Sequence, residues 1–319
     1  MPLLAPQWQP QAPLQTWQFS WSRAAGIELA VLRLDLIDPL ISGNKWFKLA
    51  PYLRAAADAG CSGLISLGGP HSNHLHALAA AGKRFAFPVV GLLRGEPQDT
   101  PTVRDLLSMG MQLHWLGYGG YRARHQTDFW LPWQQRYPHL LPVAEGGLGL
   151  PAARSCAGLR LQAQGQLAAL GWRDYDGWWL ATGTGTTLAG LVMAEAGARP
   201  VYGALAVPAG HGVDRQVEAL LAEAGMANQG YHLIDACRGG FAKVDAELLA
   251  FMAEAELSSG VPLEPLYTAK ALLALRQQVE AGYFAPATRL LFVHTGGLQG
   301  RRALLADSVS GLNKAVNVS

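Results

Sequence analysis

Short apolar runs, each ending in glycine or another small residue, recur along the chain: LISLGG at 64–69, FPVVGLL at 87–93, GWWLATG at 177–183, VYGALAV at 201–207 and RLLFVHTGG at 289–297. Runs of this length without polar alternation are the signature of buried parallel strands, because both faces of such a sheet are covered. Between them lie Ala- and Leu-rich stretches of helical pattern at 49–59, 73–83, 186–197, 214–225 and 268–281. Strand and helix alternate, so the pattern predicts an α/β chain built on mainly parallel, twisted sheets flanked by helices. In such folds ligands sit where the carboxyl ends of strands meet helix N-termini, since loops and unpaired backbone N–H groups gather there.

The stretch 98–155 breaks this rhythm. It is rich in Pro, Gly and Trp and carries YGGYRAR at 118–124. With 319 residues to accommodate, the pattern suggests two domains: a large one made of residues 1–48 with 152–319, and a small one at 49–151.

Composition narrows the function classes. Half of the residues are hydrophobic and 15% are charged, enough apolar surface for a filled interior. The formal charge is +2 and the basic residues are scattered, so no face is offered to nucleic acid. No stretch approaches the roughly 20 apolar residues of a membrane span, and MPLLAPQWQPQAPLQ lacks the basic and apolar regions of a secretory leader. A cytoplasmic protein is expected. Cys61, Cys156 and Cys237 are far apart and lack CxxC spacing, which favours reduced packing thiols over a disulfide framework or a zinc site.

Four constellations carry candidate chemistry. In SGNKWFKL (42–49), Lys45 follows a Gly-Asn turn and opens an apolar helix. A lysine held there out of water has a lowered pKa, and its neutral amine can form an imine with an aldehyde cofactor; alternatively Lys45 and Lys48 are ordinary solvated lysines. In SLGGPHSNHLHA (66–77), a strand runs through two glycines to Ser72 at a helix N-cap. Ser72 and Asn73 could bind a substrate carboxylate or the oxygen of an aromatic cofactor, with His71 and His74 beside them, or Ser72 could be a cap only. The spacing of His71, His74 and His76 does not converge on one helix face, so no metal is expected.

TGTGTT (182–187) lies between the strand WWLA and the helix LAGLVMAEA. Its backbone N–H groups and hydroxyls form a phosphate cup, with a plain tight turn as the alternative. It is neither a Walker loop nor the dinucleotide fingerprint, because no GK[ST] follows and Leu188 stands at the third glycine position. Near the C-terminus, PLYTAK (265–270) and HTGG (294–297) place Tyr267, Thr268 and Thr295 at a helix start and a strand end. Hydroxyls there can meet a pyridine nitrogen, and a tyrosine can move protons.

The order of these motifs resembles the pyridoxal 5′-phosphate-dependent family of 1-aminocyclopropane-1-carboxylate deaminases and D-cysteine desulfhydrases, from about residue 30 to 305. The resemblance implies fold type II, a cytoplasmic homodimer acting on a small amino acid, and a Schiff-base lysine at Lys45. It puts Ser72 and Asn73 near the substrate carboxylate and cofactor ring, the phosphate on Gly183, Thr184, Gly185, Thr186 and Thr187, and the active-site tyrosine at Tyr267. The deaminases resemble PVYEGK, with an acid where this chain has Thr268; a hydroxyl partner for the ring nitrogen, Thr295 in preference to Thr268, fits the desulfhydrase pattern better. Phe241 replaces a second active-site tyrosine, and His71 stands where the family has Gln. The expected reaction is therefore β-elimination from a D-cysteine-like substrate, giving a keto acid and ammonia. Ring-opening deamination, racemisation, β-replacement and non-catalytic binding of a phosphorylated ligand are the alternatives.

Overall fold

A computed structural model describes residues 1–302, in two compact units. One contains residues 9–48 and 148–298; the other contains residues 1–8, 49–147 and the described stretch from 299. Residues 1–8 thus group with the smaller unit, whereas the sequence division assigned them to the large domain; residues 303–319 of that division lie outside the described residues.

The larger unit is a six-stranded sheet. Its strands are β1 (Leu14–Thr16), β2 (Glu28–Arg33), β7 (Gly177–Thr182), β8 (Val201–Leu205), β9 (Tyr231–Asp235) and β10 (Arg289–His294), in the order β1-β2-β10-β7-β8-β9. Only β1 with β2 is antiparallel. Side chains alternate between two cores. Leu32, Leu291, Val293, Trp178, Leu180 and Val201 face one, and Val31, Leu290, Phe292, Trp179, Ala181 and Ala204 face the other. Both faces of the sheet are buried, which is why these strands read as unbroken apolar runs. The adjacent Trp178 and Trp179 enter opposite cores, and each indole N–H finds an acceptor, Glu195 Oε1 at 2.7 Å and Ala271 O at 2.8 Å.

The smaller unit holds a parallel four-stranded sheet of β3 (Gly63–Gly68), β4 (Val89–Leu93), β5 (Gln112–Trp115) and β6 (Leu140–Val143), ordered β5-β4-β3-β6. Ile65, Leu67, Val90 and Leu92 anchor a core there with Tyr121 and Leu140. The fold class expected from the alternation is therefore present: mainly parallel sheets flanked by helices in two units. Among the described residues no helix is long and apolar enough to cross a membrane, and all three cysteines are free.

Candidate active site

The larger unit gathers most of the candidate residues at the carboxyl ends of β7 and β10. The helix Lys45–Asp58 opens immediately after the turn Ser42–Asn44, and that turn packs against the end of β10. Asn44 N donates to Thr295 O (3.2 Å) and Gly43 N donates to Leu34 O (2.8 Å). The approach is close enough that a Cβ on Gly43 would lie 2.0 Å from Thr295 O, and one on Gly296 would lie 2.5 Å from Gly43 Cα. Both glycines have positive φ, +80° and +76°. The SGNK and HTGG motifs, read separately in the sequence, are thus two halves of one joint.

Lys45 emerges from this joint half-buried, and among the described residues its amine makes no hydrogen bond or ion pair. Burial, with the Lys48 ammonium adding to it, pulls the Lys45 pKa well below the ordinary lysine range. A neutral amine near physiological pH is the form that attacks a carbonyl. Lys48, 3% exposed, is also pulled down by burial. It lies one turn further along the same helix.

The Gly/Thr loop is tied to this helix start by side chains. Asn44 Nδ2 donates to Thr187 Oγ1 (2.9 Å), and Lys48 Nζ donates to Thr184 Oγ1 (3.3 Å). Cys156 Sγ donates to Thr187 Oγ1 at 3.9 Å, and burial pushes that thiol up, so it is a neutral packing group. The loop leads into the helix Thr186–Glu195, whose N-terminus at Gly185 has no side-chain cap. The first N–H groups of an α-helix have no intrahelical acceptor, and here the cap residue, a glycine, has no side chain to supply one. Among the described residues, Asn44 Oδ1 and Ser42 Oγ are buried without hydrogen-bond partners. An uncapped helix start, a buried ammonium and orphaned polar atoms together fit a phosphate group, and Gly183–Thr187 with Lys48 are the residues that could hold it.

Tyr267 stands against the same loop. A Cβ on Gly183 would lie 3.2 Å from the Tyr267 ring, so the glycine admits the ring. Tyr267 precedes the helix Thr268–Glu280, and its N–H donates to Glu264 Oε2 (2.8 Å); the other Glu264 oxygen accepts from Leu266 N (2.9 Å). A carboxylate 1% exposed thereby fixes the backbone that presents the tyrosine. Phe241 meets the Tyr267 ring edge-on at 5.5 Å.

The two candidate threonines separate. Thr268 is fully buried, and its hydroxyl accepts from Glu264 N (2.7 Å) and donates to Glu264 O (3.1 Å). The Thr268 proton is thereby committed inside the turn. Thr295 is half-buried, and its hydroxyl makes no hydrogen bond among the described residues.

The remaining candidates lie in the smaller unit, around the start of the helix Asn73–Phe85. Ser72 is its N-cap, with Oγ accepting from Leu75 N at 3.2 Å. Asn73 Oδ1 accepts from Gln299 Nε2 (2.7 Å), and His71 is exposed. His74, proposed from sequence as a substrate contact, instead points inward. It is 2% exposed, with Nε2 2.8 Å from Ser66 Oγ. Since Ser66 spends its own proton on Val143 O (2.8 Å), His74 must donate to it through Nε2–H. His76 is turned to Asp105 at 3.1 Å. Among the described residues no three His, Cys, Asp or Glu side chains come together as a metal-binding group.

Asn44, Lys48 and Glu264 were not singled out from the sequence. The Lys45–Lys48 spacing, which puts both on one helix face, and the acid just before the PLYTAK helix start were the available signals.

No protein-family model matches the chain. A protein of Pyrococcus furiosus, named provisionally as a 1-aminocyclopropane-1-carboxylate deaminase, is 29% identical over 304 residues, covering 88% of this chain and 87% of that protein. The mitochondrial bifunctional D-cysteine desulfhydrase/1-aminocyclopropane-1-carboxylate deaminase of Arabidopsis thaliana is 27% identical, covering 90% of this chain and 76% of the relative. Among solved structures, an ACC deaminase homologue superposes with a TM-score of 0.81 at 24% identity, covering 97% of this chain and 95% of the other. The serine racemase of Dictyostelium discoideum superposes with a TM-score of 0.66 at 14% identity, covering 90% and 92%. The chain is a relative, over nearly its whole length, of the 1-aminocyclopropane-1-carboxylate deaminases and D-cysteine desulfhydrases, on the fold of the type II pyridoxal-phosphate enzymes.

Proposed function

We propose that this protein is a pyridoxal 5′-phosphate-dependent lyase that eliminates the β-substituent of a small amino acid of the D-cysteine type, giving a keto acid and ammonia. The observation that carries this reading is the half-buried, unpartnered Lys45 amine, whose helix start is bonded to an uncapped Gly/Thr loop through Asn44 and Lys48. When bound, the cofactor supplies an electron sink for the charge left by removal of an α-proton. Lys45 would hold it through its amine and act as the base for that proton. Gly183, Thr184, Gly185, Thr186 and Thr187 with Lys48 would hold the phosphate, and Thr295 would face the ring nitrogen. Tyr267, presented by Glu264, would move a proton on the leaving-group side.

Ser72 and Asn73 are assigned to the substrate carboxylate and the cofactor ring oxygen, and His71 to the edge of the substrate site. The first N–H groups of their helix add a favourable potential for an anion. Elimination is favoured over cyclopropane ring opening because Phe241 brings an apolar edge, not a hydroxyl, to Tyr267, and Thr268 is not an acid. A cytoplasmic homodimer belongs to the same reading, supported by the family resemblance.

Purified protein with pyridoxal phosphate should absorb in the visible range, and D-cysteine should perturb that band and release sulfide and pyruvate. Release of 2-oxobutyrate from 1-aminocyclopropane-1-carboxylate without sulfide from D-cysteine would replace elimination by ring opening. A yellow protein inert to a broad panel of D- and L-amino acids would reduce the site to binding.

Lys48→Met should weaken the affinity for pyridoxal phosphate roughly 10- to 100-fold, the worth of one buried charge-assisted contact. Fluorescence titration of the cofactor checks it. An unchanged Kd would remove Lys48 from the phosphate site.

A further inference from the structure

Three residues beyond Tyr267, on the same helix, Lys270 is 1% exposed. It makes no ion pair among the described residues. Its three ammonium protons instead meet three backbone carbonyls: Cys237 O (3.0 Å), Gly240 O (3.0 Å) and Phe241 O (2.9 Å). Burying an ammonium is costly unless every donor is satisfied, and a methionine would fill the space without that cost. The arrangement does something a packing residue would not: it gathers carbonyls from both ends of one short loop onto a single point.

That loop is not one its sequence adopts freely. Arg238 sits at φ +54°, a left-handed conformation costly for a side-chain-bearing residue, next to Gly239 at +76°. The Arg238 guanidinium is held from the solvent side by Asp245 (2.6 Å) and Glu247 (2.5 Å). The loop is therefore pinned from outside by Arg238 and from inside by Lys270. What the pinning delivers is Phe241, placed edge-on against the ring of Tyr267, which in turn lies over Gly183 of the Gly/Thr loop. Tyr267 is thus constrained from two sides: Glu264 fixes its backbone and Phe241 fixes its ring.

We propose that Lys270 is a positioning residue of this site: by clamping the loop 237–241 it seats Phe241 as an apolar wall that holds the Tyr267 ring over the Gly/Thr loop. The kinetic part of this inference rests on the lyase reading above; the structural part does not.

The test uses the cofactor-loaded full chain with Lys270→Met, which keeps the aliphatic length and removes the donors, Phe241→Ala, which removes the wall, and the double variant. By hydrogen exchange, Lys270→Met is expected to lose protection across residues 238–243 while β7 and β10 exchange as in the parent. Unchanged protection would overturn the clamp, whether or not the protein proves to be a lyase. In kinetics, each single variant is expected to lower kcat roughly 10- to 100-fold with the visible absorption retained, since small misplacements of a proton-moving group are that costly. The double variant is expected to be no slower than the slower single one, because both changes interrupt the same chain of contacts. Losses that multiply would overturn the positioning role. A parent protein that binds the cofactor but turns over no amino acid would instead refute the lyase reading, leaving the exchange result to decide the clamp. If Lys270→Met does not fold, Arg238→Ala loosens the loop from the solvent side. The same lost protection and slower kcat are expected of it, and no change in either would overturn the proposal.

Discussion

Lys45→Met is expected to abolish catalysis while making the cofactor-free protein more stable. On the catalytic side, removal of the amine should eliminate the visible band of lysine-bound pyridoxal phosphate and lower turnover by roughly four orders of magnitude or more, as removal of an essential covalent group does. An unchanged spectrum would refute the assignment outright. On the stability side, the folded-state pKa of Lys45 is depressed by burial and by the Lys48 ammonium. Below a pH of about 10.5 the unfolded chain carries the proton while the folded chain resists it, so the unfolded state binds more protons and is favoured as the pH falls. The penalty is absent above the unfolded pKa and complete below the folded one. The cofactor-free variant should therefore melt a few degrees, on the order of 2–4 °C per kcal/mol recovered, above the parent at neutral pH, with the gap closing toward pH 10 to 11. Thermal melts across that range check the sign. A variant that is less stable at neutral pH would mean that burial does not penalise the charged form of this amine.

Gly43→Ala is expected to be the most destabilising single-methyl change in the larger unit. The added Cβ would lie 2.0 Å from Thr295 O and 2.9 Å from Gly296 Cα, all backbone, at φ +80°. Backbone strain alone costs about 1–3 kcal/mol, and the overlap adds to it, so a loss of about 4 kcal/mol or outright failure to fold is expected. Two controls separate the causes. Gly60 has φ +68° with open space around it, so Gly60→Ala should show the strain alone, about 1–2 kcal/mol; Gly69 has neither strain nor neighbours, and Gly69→Ala should cost less than about 1 kcal/mol. Urea denaturation of the three variants gives the comparison. A Gly43→Ala protein as stable as Gly69→Ala would show that the two turns do not touch as described.

The five strands and five helices read from the apolar pattern are all present, because each is buried on both faces or carries a long apolar stripe. Of the strands absent from that reading, Leu14–Thr16 is only three residues long, Glu28–Arg33 does carry a buried apolar run that the reading passed over, and the other three share a reason. Gln112–Trp115 and Tyr231–Asp235 are half-buried edges of their sheets, and Leu140–Val143 contains a proline, so none offers a continuous apolar run. In the site, Lys45 and the Gly/Thr loop were legible because each motif is local. The bonds that join them were not: Asn44 and Thr187 are 143 residues apart, Lys48 and Thr184 are 136 apart, and nothing local records such pairings. The surroundings of Thr268 and His74 were not legible either. Both stand beside residues of suggestive type, but the Thr268 hydroxyl is bonded to Glu264 and the Nε2 of His74 to Ser66, which only the folded chain reveals.

The joint between Gly43 and Gly296 sets an order on assembly. Strand β10 is the last of the larger sheet to be synthesised, yet it lies between β2 and β7 in the middle of that sheet. A nascent chain therefore emerges with two incomplete half-sheets whose inner edges wait for a common neighbour, while the strands of the smaller unit, all within 63–143, have already left the ribosome. The helix start that carries Lys45 cannot be seated until the segment carrying Thr295 arrives. On the proposed reading, binding of an aldehyde cofactor at Lys45 would be a late event that cannot guide the early stages of folding.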